Sequence, residues 1–191
     1  QIFDQPSGSG MVSGVAGGVF QFYRTGTQAV VFQQTGMPVP SGGPILATFQ
    51  LGNTDSVRKR VSVLIQEADF SDLQVCTFWL PPNAALQNYS MRTHATRPWA
   101  NATLAFYAAT AGSGGFYQID NVSLTFAPDQ TATETACGDP LAPTAPGGGF
   151  SATLLANGTF AAGLTSWTTL GQIFGSVTSG EYRFTKLPGT P

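Results

Sequence analysis

Apolar and polar residues alternate with a period of two along most of the first 126 residues. The clearest example is the segment Ile45–Leu51, in which every second residue is apolar. Segments of this kind are separated by Gly, Pro, Asn and Asp, and none keeps a helical period. They lie at 18–22, 28–34, 45–51, 61–66, 74–80, 88–94, 102–108 and 114–126. The pattern predicts an all-β protein whose fold is an antiparallel jelly-roll β-sandwich.

The last of these segments breaks the alternation once. Its apolar residues up to Ile119 share one strand face, and those from Val122 onward are out of phase with them. A period of two joins the two sets in one core only if one residue is absorbed between them. We therefore predict a β-bulge at Asp120-Asn121.

Two motifs resemble known β-sandwich modules. The run Tyr117-Gln-Ile-Asp-Asn-Val-Ser-Leu124 resembles the closing strand of galactose-binding-like modules, which include many extracellular carbohydrate-binding modules. The run from Leu154 to Trp167 contains Asn157-Gly-Thr-Phe160, and it resembles the opening strand and turn of the same modules. The resemblance implies a jelly-roll sandwich that covers most of residues 19–126, followed by the start of a sandwich late in the chain.

The order of these motifs predicts three parts. Residues 1–127 are expected to form a sandwich that lacks its first strand, 128–149 a Pro- and Gly-rich linker, and 150–191 the opening strands of a second or complementing sandwich. Two short similarities support this phase shift: Gly180–Phe184 resembles Gly18–Phe22, and Gln172–Phe174 repeats Gln1–Phe3. The late segment could fold back on its own chain, complement a neighbouring subunit, or belong to a tandem array.

We interpret this arrangement as a sign of a non-catalytic extracellular structural protein, a repeat or subunit of a fibre, sheath or adhesive stalk whose partners are copies of itself. A sandwich without its first strand exposes a strand edge and an open groove, and a donated strand would cover both. The predicted strand-donating residues are Leu154, Leu155, Asn157, Phe160 and Trp167. Trp167 is expected in a core.

Composition excludes some classes of function and favours an extracellular setting. The net charge is −2, so there is no basic footprint for nucleic acid, and the cluster Arg58-Lys59-Arg60 is interpreted as a solvated entrance to a strand. No apolar run has the length of a membrane span. The two cysteines, Cys76 and Cys137, are predicted to form a disulfide. The sequence also contains four N-glycosylation sequons. They begin at Asn88, Asn101, Asn121 and Asn157.

No constellation for catalysis is found. His94 is a lone histidine without a nucleophile or metal cluster around it, and it is interpreted as structural. Glu67, Asp69 and Asp72 follow a strand, but no second group supports acid–base chemistry. We therefore expect no enzymatic activity and no required cofactor. Related modules often bind a structural calcium ion, and by that resemblance Asp120 is the candidate ligand in this chain.

The alternative function is a carbohydrate-binding module, ancillary to a secreted enzyme or a cell-wall protein, with a polysaccharide as its partner. Aromatic rings stack on sugar rings, and neighbouring polar groups fix the orientation. The candidate residues are Trp79, Trp99, Tyr107 and Tyr89. Trp99 follows Pro98 in a turn and is predicted to be the most exposed. Core or inter-module packing is the competing interpretation for Trp79 and Tyr107.

Overall fold

The computed structural model describes residues 2–3, 10–26, 29–111, 114–126, 133–142, 157, 159–168 and 173–186. Every regular element within these residues is a β-strand, which confirms the predicted all-β class. None of these residues belongs to a helix that is long and apolar enough to cross a membrane. The chain divides into two compact units, residues 1–143 and 144–191.

The first unit is an antiparallel sandwich of two sheets. Its strands are β1 (Ile2–Phe3), β2 (Met11–Ala16), β3 (Val19–Arg24), β4 (Val30–Gln34), β5 (Pro44–Asn53), β6 (Lys59–Glu67), β7 (Leu73–Leu80), β8 (Gln87–His94), β9 (Ala102–Ala108), β10 (Tyr117–Phe126) and β11 (Ala136–Gly138). A five-stranded sheet has the order β1-β4-β9-β6-β7, and a six-stranded sheet has the order β11-β8-β5-β10-β3-β2. The architecture is the predicted jelly-roll sandwich.

The core lies between the inner faces of the two sheets. Val61, Val63 and Ile65 alternate inward along β6 and are fully buried, because each strand of a sandwich buries every second side chain. Phe49 of the six-stranded sheet packs edge-on against Phe106 of the other sheet, with ring centroids 5.2 Å apart. Each such side chain contributes about 1.5–3 kcal/mol through burial.

The predicted β-bulge is present in β10. Its pairing with β5 shifts register between Asp120 and Ser123, and Asn121 has a φ of 49°, a left-handed conformation that Asn tolerates. The apolar residues before the bulge are buried, but Val122 and Phe126 after it are about half exposed. Leu124 is partly buried and packs against the core, so the expectation that one core buries both sets holds only in part. Val122 instead lines an inter-sheet cleft of about 540 Å³.

Lys59 corrects the interpretation of the basic cluster. Strand alternation turns its side chain into the sandwich, where it is fully buried between two neighbours of the cluster that face outward. Its Nζ lies 3.0 Å from Asp55 Oδ2, donates to the carbonyl oxygen of Gly115 and sits 5.0 Å from the ring centre of Tyr117. The hydrogen bond and the charge of Lys59 lower the pKa of Asp55. A buried cation with these partners is a structural element.

A disulfide joins the two sheets at one edge of the sandwich. Cys76 lies on β7 and Cys137 on β11, and their Cα atoms are 5.7 Å apart. β11 pairs with β8 inside the segment that was predicted to be a linker, so residues 136–138 belong to the sandwich. Composition misled the prediction here because a three-residue edge strand has too little apolar content to be recognised. A disulfide spanning 61 residues stabilises the fold by about 4 kcal/mol in the chain-entropy model.

The described residues of the second unit form turns and a hairpin of two strands, β12 (Ile173–Thr178) and β13 (Glu181–Lys186). Phe160 stacks on Trp167 at 5.0 Å, and the indole N–H of Trp167 donates to the carbonyl oxygen of Asn157. Trp167 is more than one third exposed, so its predicted place in a core is wrong within this unit. Leu154 and Leu155 lie outside the described residues, and strand donation stays a prediction.

The β12–β13 hairpin repeats the β2–β3 hairpin in register. Adding 162 to both members of the pair Met11–Arg24 gives the pair Ile173–Lys186, and the same shift holds for every pair of the two hairpins. The ring pair Phe20–Phe22, at 5.8 Å, likewise recurs as Tyr182–Phe184, at 5.6 Å. Ile173 therefore corresponds in register to Met11, and the proposed match between Gln172–Phe174 and Gln1–Phe3 is wrong.

Candidate functional site

Three neighbouring strands of the five-stranded sheet form a cleft on its outer face. We call it the outer cleft; its volume is about 390 Å³. Its lining residues are Val30, Phe32, Gln34, Gln66, Ala68, Phe70, Thr103, Ala105 and Tyr107. The cleft lies on the side of the sheet away from the hydrophobic core, and it is walled at one end by the loop between β6 and β7.

Strand register arranges the floor of the outer cleft in rows. Gln34, Thr103 and Gln66 are direct neighbours across β4, β9 and β6 and form a polar row. Two residues further along the strands, about 7 Å away, Phe32 lies beside the small side chain of Ala105. The following row contains Tyr107. The floor thus passes from amide and hydroxyl groups to aromatic rings within the length of a few residues.

Among the described residues of this floor, Gln66 has a buried polar atom without a hydrogen-bond partner. Its side chain is 2% exposed, and its carbonyl oxygen Oε1 has no hydrogen-bond partner among the described residues. A buried polar atom without a partner costs about 1–3 kcal/mol. Such an atom facing a cleft is expected to be paired by a donor that enters the cleft.

Aromatic side chains form the remainder of the outer cleft. Tyr107 is half-buried, and this burial raises the pKa of its phenol. Phe70 is exposed at the wall and has a φ of 61°, a left-handed conformation that costs a non-glycine residue about 1–2 kcal/mol. Strain of this kind is a reason to suspect a functional position. The rings offer apolar faces beside the polar row.

The acidic residues near the cleft have structural roles. Glu67 faces inward and accepts hydrogen bonds from the backbone N–H groups of Ala68, Ala100 and Asn101. Asp72 Oδ2 accepts from the backbone and side chain of Thr96 and from the indole Nε1 of Trp99. Burial alone would raise the pKa of Asp72, but these hydrogen bonds outweigh it and lower the pKa. Among the described residues, the lining of the outer cleft contains no carboxylate or histidine.

The structure brings one of the four predicted sugar-binding residues into the outer cleft, namely Tyr107. Trp99 is 2% exposed, so the prediction that it is exposed is wrong; its turn is tied inward through Asp72 and through backbone hydrogen bonds with Val39. Tyr89 is also buried, in contact with Phe78 at 5.0 Å, and burial together with the charge of Asp139 raises its pKa to about 12.

Trp79 lies on the same outer face as Tyr107 but outside the outer cleft. It is about two fifths exposed and belongs to the edge strand β7. The guanidinium carbon of Arg58 lies 4.4 Å from the centre of the indole ring, and that of Arg60 lies 5.7 Å away. Trp79 is therefore neither a core residue nor a free stacking platform, because two guanidinium groups already lie over its ring.

Sequence reasoning missed most of the outer cleft. Phe32, Gln34 and Gln66 lie at the outward positions of strands that were predicted, but an outward position does not tell which strands are neighbours. The available signal was Gln34 two residues after Phe32 on β4, together with Gln66 at an outward position of β6. That signal gains meaning only when the order β4-β9-β6 is known.

The structure also shows the surroundings of Asp120 and His94, which the sequence analysis discussed. Asp120 Oδ1 accepts a hydrogen bond from the backbone N–H of Asn121, and the described residues contain no group of three or more His, Cys, Asp or Glu side chains that could hold a metal. Calcium at Asp120 would depend on backbone oxygens and stays a prediction. His94 lies on β8, opposite Pro44.

The sequons differ in the availability of their amide groups. Asn88 and Asn121 are exposed on the outer face of the six-stranded sheet, where Gln50 bonds to both of them. The Asn101 side chain accepts from the backbone N–H of Gly36. The Nδ2 atom of Asn157 donates to two carbonyl oxygens of its own turn, so a glycan there would disrupt that turn. Glycosylation at the four sites stays a prediction.

Several solved structures with a likeness to this chain are carbohydrate-binding modules, and another is the enzymatically active domain of a bacteriophage tailspike protein. A CBM4 structure aligns with a TM-score of 0.48 and 12% identity, over 60% of this chain and 88% of its own. A family 29 module, a point mutant of CBM29-2, aligns at 0.45 and 18% over 61% and 71%. A family 16 module aligns at 0.40 and 16% over 62% and 87%. At these values the likeness carries no argument about function.

No protein-family model matches the chain. The comparison with curated protein sequences also finds no match. The function must therefore be argued from the chemistry of the site.

Proposed function

We propose that the protein is a non-catalytic extracellular module that binds a carbohydrate chain in the outer cleft. The observation that carries this proposal is the buried, unpaired Oε1 of Gln66. It lies on the same face of the sheet as the rings of Phe32 and Tyr107. A sugar presents C–H groups on its ring faces and hydroxyl groups at its rim. Ring faces pack on aromatic side chains, and hydroxyl groups pair with amide and hydroxyl side chains.

Each part of the outer cleft has a role in this proposal. Tyr107 provides the stacking face, and Phe32 and Phe70 provide apolar contact at the sides. Gln66 Oε1 accepts a hydrogen bond from a sugar hydroxyl, and Gln34 and Thr103 complete the polar row. Desolvation of these polar groups favours a ligand that is rich in hydroxyl groups over a purely apolar ligand.

The absence of acid–base groups in the lining supports binding without catalysis. Hydrolysis of a glycosidic bond uses two carboxyl groups on either side of the bond. No carboxylate of the described part of the chain lines the outer cleft, and Glu67, next to Gln66, accepts hydrogen bonds from backbone donors on the other face of the sheet. The extracellular setting is supported by the disulfide between the two sheets.

Affinity electrophoresis tests the proposal. The native protein is run through gels that contain β-glucan, xylan or glucomannan, together with Tyr107→Ala and the matched variant Tyr23→Ala. Tyr23 is half-buried on the opposite outer face, in edge contact with Phe116. We expect retardation by at least one polysaccharide, weakened about tenfold or more by Tyr107→Ala and unchanged by Tyr23→Ala. Equal binding by Tyr107→Ala, or migration that neither these neutral polysaccharides nor acidic ones affect, would contradict it.

A second candidate function is self-association in a structural assembly. It is favoured by the register repeat of the β2–β3 hairpin in the β12–β13 hairpin. In the first copy Phe22 is fully buried and stacks on Tyr117, whereas its counterpart Phe184 is about two thirds exposed. An apolar strand face of this kind is a typical interaction surface.

The molar mass of the protein in solution tests this second candidate. Full-length protein is compared with a variant that ends at residue 143, the boundary between the two compact units. Assembly through the second unit predicts multimers for the full chain and monomers for the shortened one. Equal molar mass per chain in both samples would refute it.

A further inference from the structure

A second cleft lies next to the outer cleft, on the other side of Tyr107. We call it the arginine cleft; its volume is about 350 Å³. Its lining residues are Arg24, Ala29, Arg60, Ser62, Leu64, Tyr107, Ala108 and Ala109. Tyr107 lines both clefts, so the two clefts are adjacent on the outer face of the sheet.

Strand geometry gathers positive charge at this end of the sheet. Arg60 faces outward from β6 opposite Trp79, and its backbone N–H donates to the hydroxyl of Thr110. Arg58 lies over the same indole ring, while Lys59 between them points into the core. A guanidinium over an indole ring gains cation–π energy and loses side-chain freedom, so both arginines are held in place before any ligand arrives.

Among the described residues, the guanidinium groups of Arg58 and Arg60 lack an acidic partner. The ion pairs of this part of the chain join Lys59 to Asp55 and Arg183 to Glu181, and neither of the two arginines takes part in one. The described residues that line the arginine cleft also include no carboxylate. In a chain with 8 basic and 10 acidic residues, Arg58 and Arg60 thus provide positive charge beside a sugar-sized cleft.

We propose that the arginine cleft binds the carboxylate of a uronic acid, so that the preferred ligand is an acidic polysaccharide whose chain also occupies the outer cleft. The inference rests on the proposed carbohydrate-binding function and names the class of its ligand. The planar guanidinium of Arg60 matches a carboxylate through two parallel N–H···O bonds, and Arg58 adds positive charge nearby. The neighbouring sugar ring stacks on Tyr107.

Pairs of polysaccharides that differ only in charge test this proposal. Polygalacturonate, alginate and hyaluronate are each compared with their carboxyl-reduced, neutral counterparts in affinity gels at low salt. We expect at least one acidic polymer to bind about tenfold or more tightly than its neutral counterpart. Added salt weakens this preference, because the Debye length falls from about 30 Å at 0.01 M to about 10 Å at 0.1 M.

Arginine variants separate this inference from general charge effects. Arg60→Gln and Arg58→Gln are each expected to reduce the preference for the acidic polymer about tenfold, and to leave binding of the neutral polymer intact. Arg183→Gln removes the same charge from the exposed hairpin of the second unit and is expected to change neither. Melting curves confirm that all three variants are folded.

The outcomes distinguish this inference from the proposed function. If neutral polymers bind as tightly as acidic ones, with dependence on Tyr107, the acidic ligand is wrong while carbohydrate binding stands. The same conclusion follows if acidic polymers bind but both arginine variants behave like the native protein. If no polymer of either kind binds, the proposed function and the inference both fail. A preference for sulfated dextran over every carboxylate polymer would also overturn the inference, because it identifies the anion as sulfate.

Discussion

Gln66 and Glu67 are neighbours on β6 and both are buried, but their side chains differ in whether their oxygen atoms are hydrogen-bonded. Glu67 is 8% exposed and points into the sandwich, where three backbone N–H groups satisfy its carboxylate. Gln66 is 2% exposed and points to the outer cleft, where its Oε1 has no partner among the described residues. The same strand thus carries a satisfied structural group on one face and an unsatisfied group on the other. This contrast is the reason for proposing the outer face as the side that meets a ligand.

The outer face of the six-stranded sheet shows what a satisfied amide surface looks like. Gln50 donates from Nε2 to Asn88 and accepts at Oε1 from Asn121, so its amide is paired on both sides. These residues line a cleft of about 520 Å³ in which the side-chain carbonyl oxygens of Gln50 and Asn88 are already paired. Volume alone therefore does not separate the two faces. The unpaired amide oxygen of Gln66 beside aromatic rings distinguishes the outer face of the five-stranded sheet.

The largest effect is expected inside the sandwich, at Trp99. Trp99→Ala removes a buried indole and its hydrogen bond to Asp72, and we expect a loss of about 3–5 kcal/mol in the free energy of unfolding. Chemical denaturation measures this loss. Tyr107→Ala on the outer face is the comparison and is expected to cost much less stability, because Tyr107 is half-exposed. Equal losses for both would mean that the cleft aromatic is also structural.

Matched leucine substitutions at the two neighbours sharpen the comparison directly. Glu67→Leu leaves the N–H groups of Ala100 and Asn101 without acceptors, and we expect it to lower the free energy of unfolding by about 3 kcal/mol. Gln66→Leu replaces an unpaired buried amide by an apolar group, and we expect stability to stay equal or to rise by about 1 kcal/mol.

Ligand binding should respond in the opposite order. Gln66→Leu is expected to weaken polysaccharide binding about tenfold, because one hydrogen bond to a buried acceptor is lost. Glu67→Leu protein that is still folded is expected to bind normally. A Gln66→Leu protein that loses stability, or that binds as the native chain does, contradicts the roles assigned to the two faces.

The smallest expected effect is on the stability of the protein at acid pH. The lowered pKa of Asp72 means that its stabilising contribution is fully present above the pKa of an unfolded aspartate, about 3.9, and is lost as pH falls through the lower folded value. Asp72→Asn keeps an acceptor for Trp99 but no longer titrates. We expect its unfolding free energy to change less than that of the native protein between pH 5 and about pH 2. Parallel curves for the two proteins would show that Asp72 is not responsible.

The strands and the bulge were predictable because they depend on local alternation. The pattern of β5 and the phase change around Asp120-Asn121 are both visible in the sequence, and the structure confirms them. Lys59 was not predictable as a buried residue, because its partners come from Asp55 in the preceding loop and Gly115 on a distant segment. Long-range partners are what a local pattern lacks.

The residues of the proposed site were only partly predictable from the sequence. Tyr107 was a candidate and lies in the outer cleft, whereas Trp99 was the preferred candidate and is buried by a hydrogen bond to Asp72, 27 residues earlier. Gln34 and Gln66 become neighbours of Thr103 only through the strand order β4-β9-β6. The sequence thus contained candidate aromatic residues, but only the strand order shows which side chains lie together.

The central claim is that a carbohydrate binds on the outer face of the five-stranded sheet. It is tested most directly by titrating isotope-labelled protein with oligosaccharides of the best-retained polysaccharide and recording amide chemical shifts. The account predicts the largest changes at the side-chain amides of Gln34 and Gln66 and along the outward positions of β4 and β9, with none at Gln50 and Asn88. Changes confined to Gln50 and Asn88, or to the inter-sheet cleft at Val122, would contradict it.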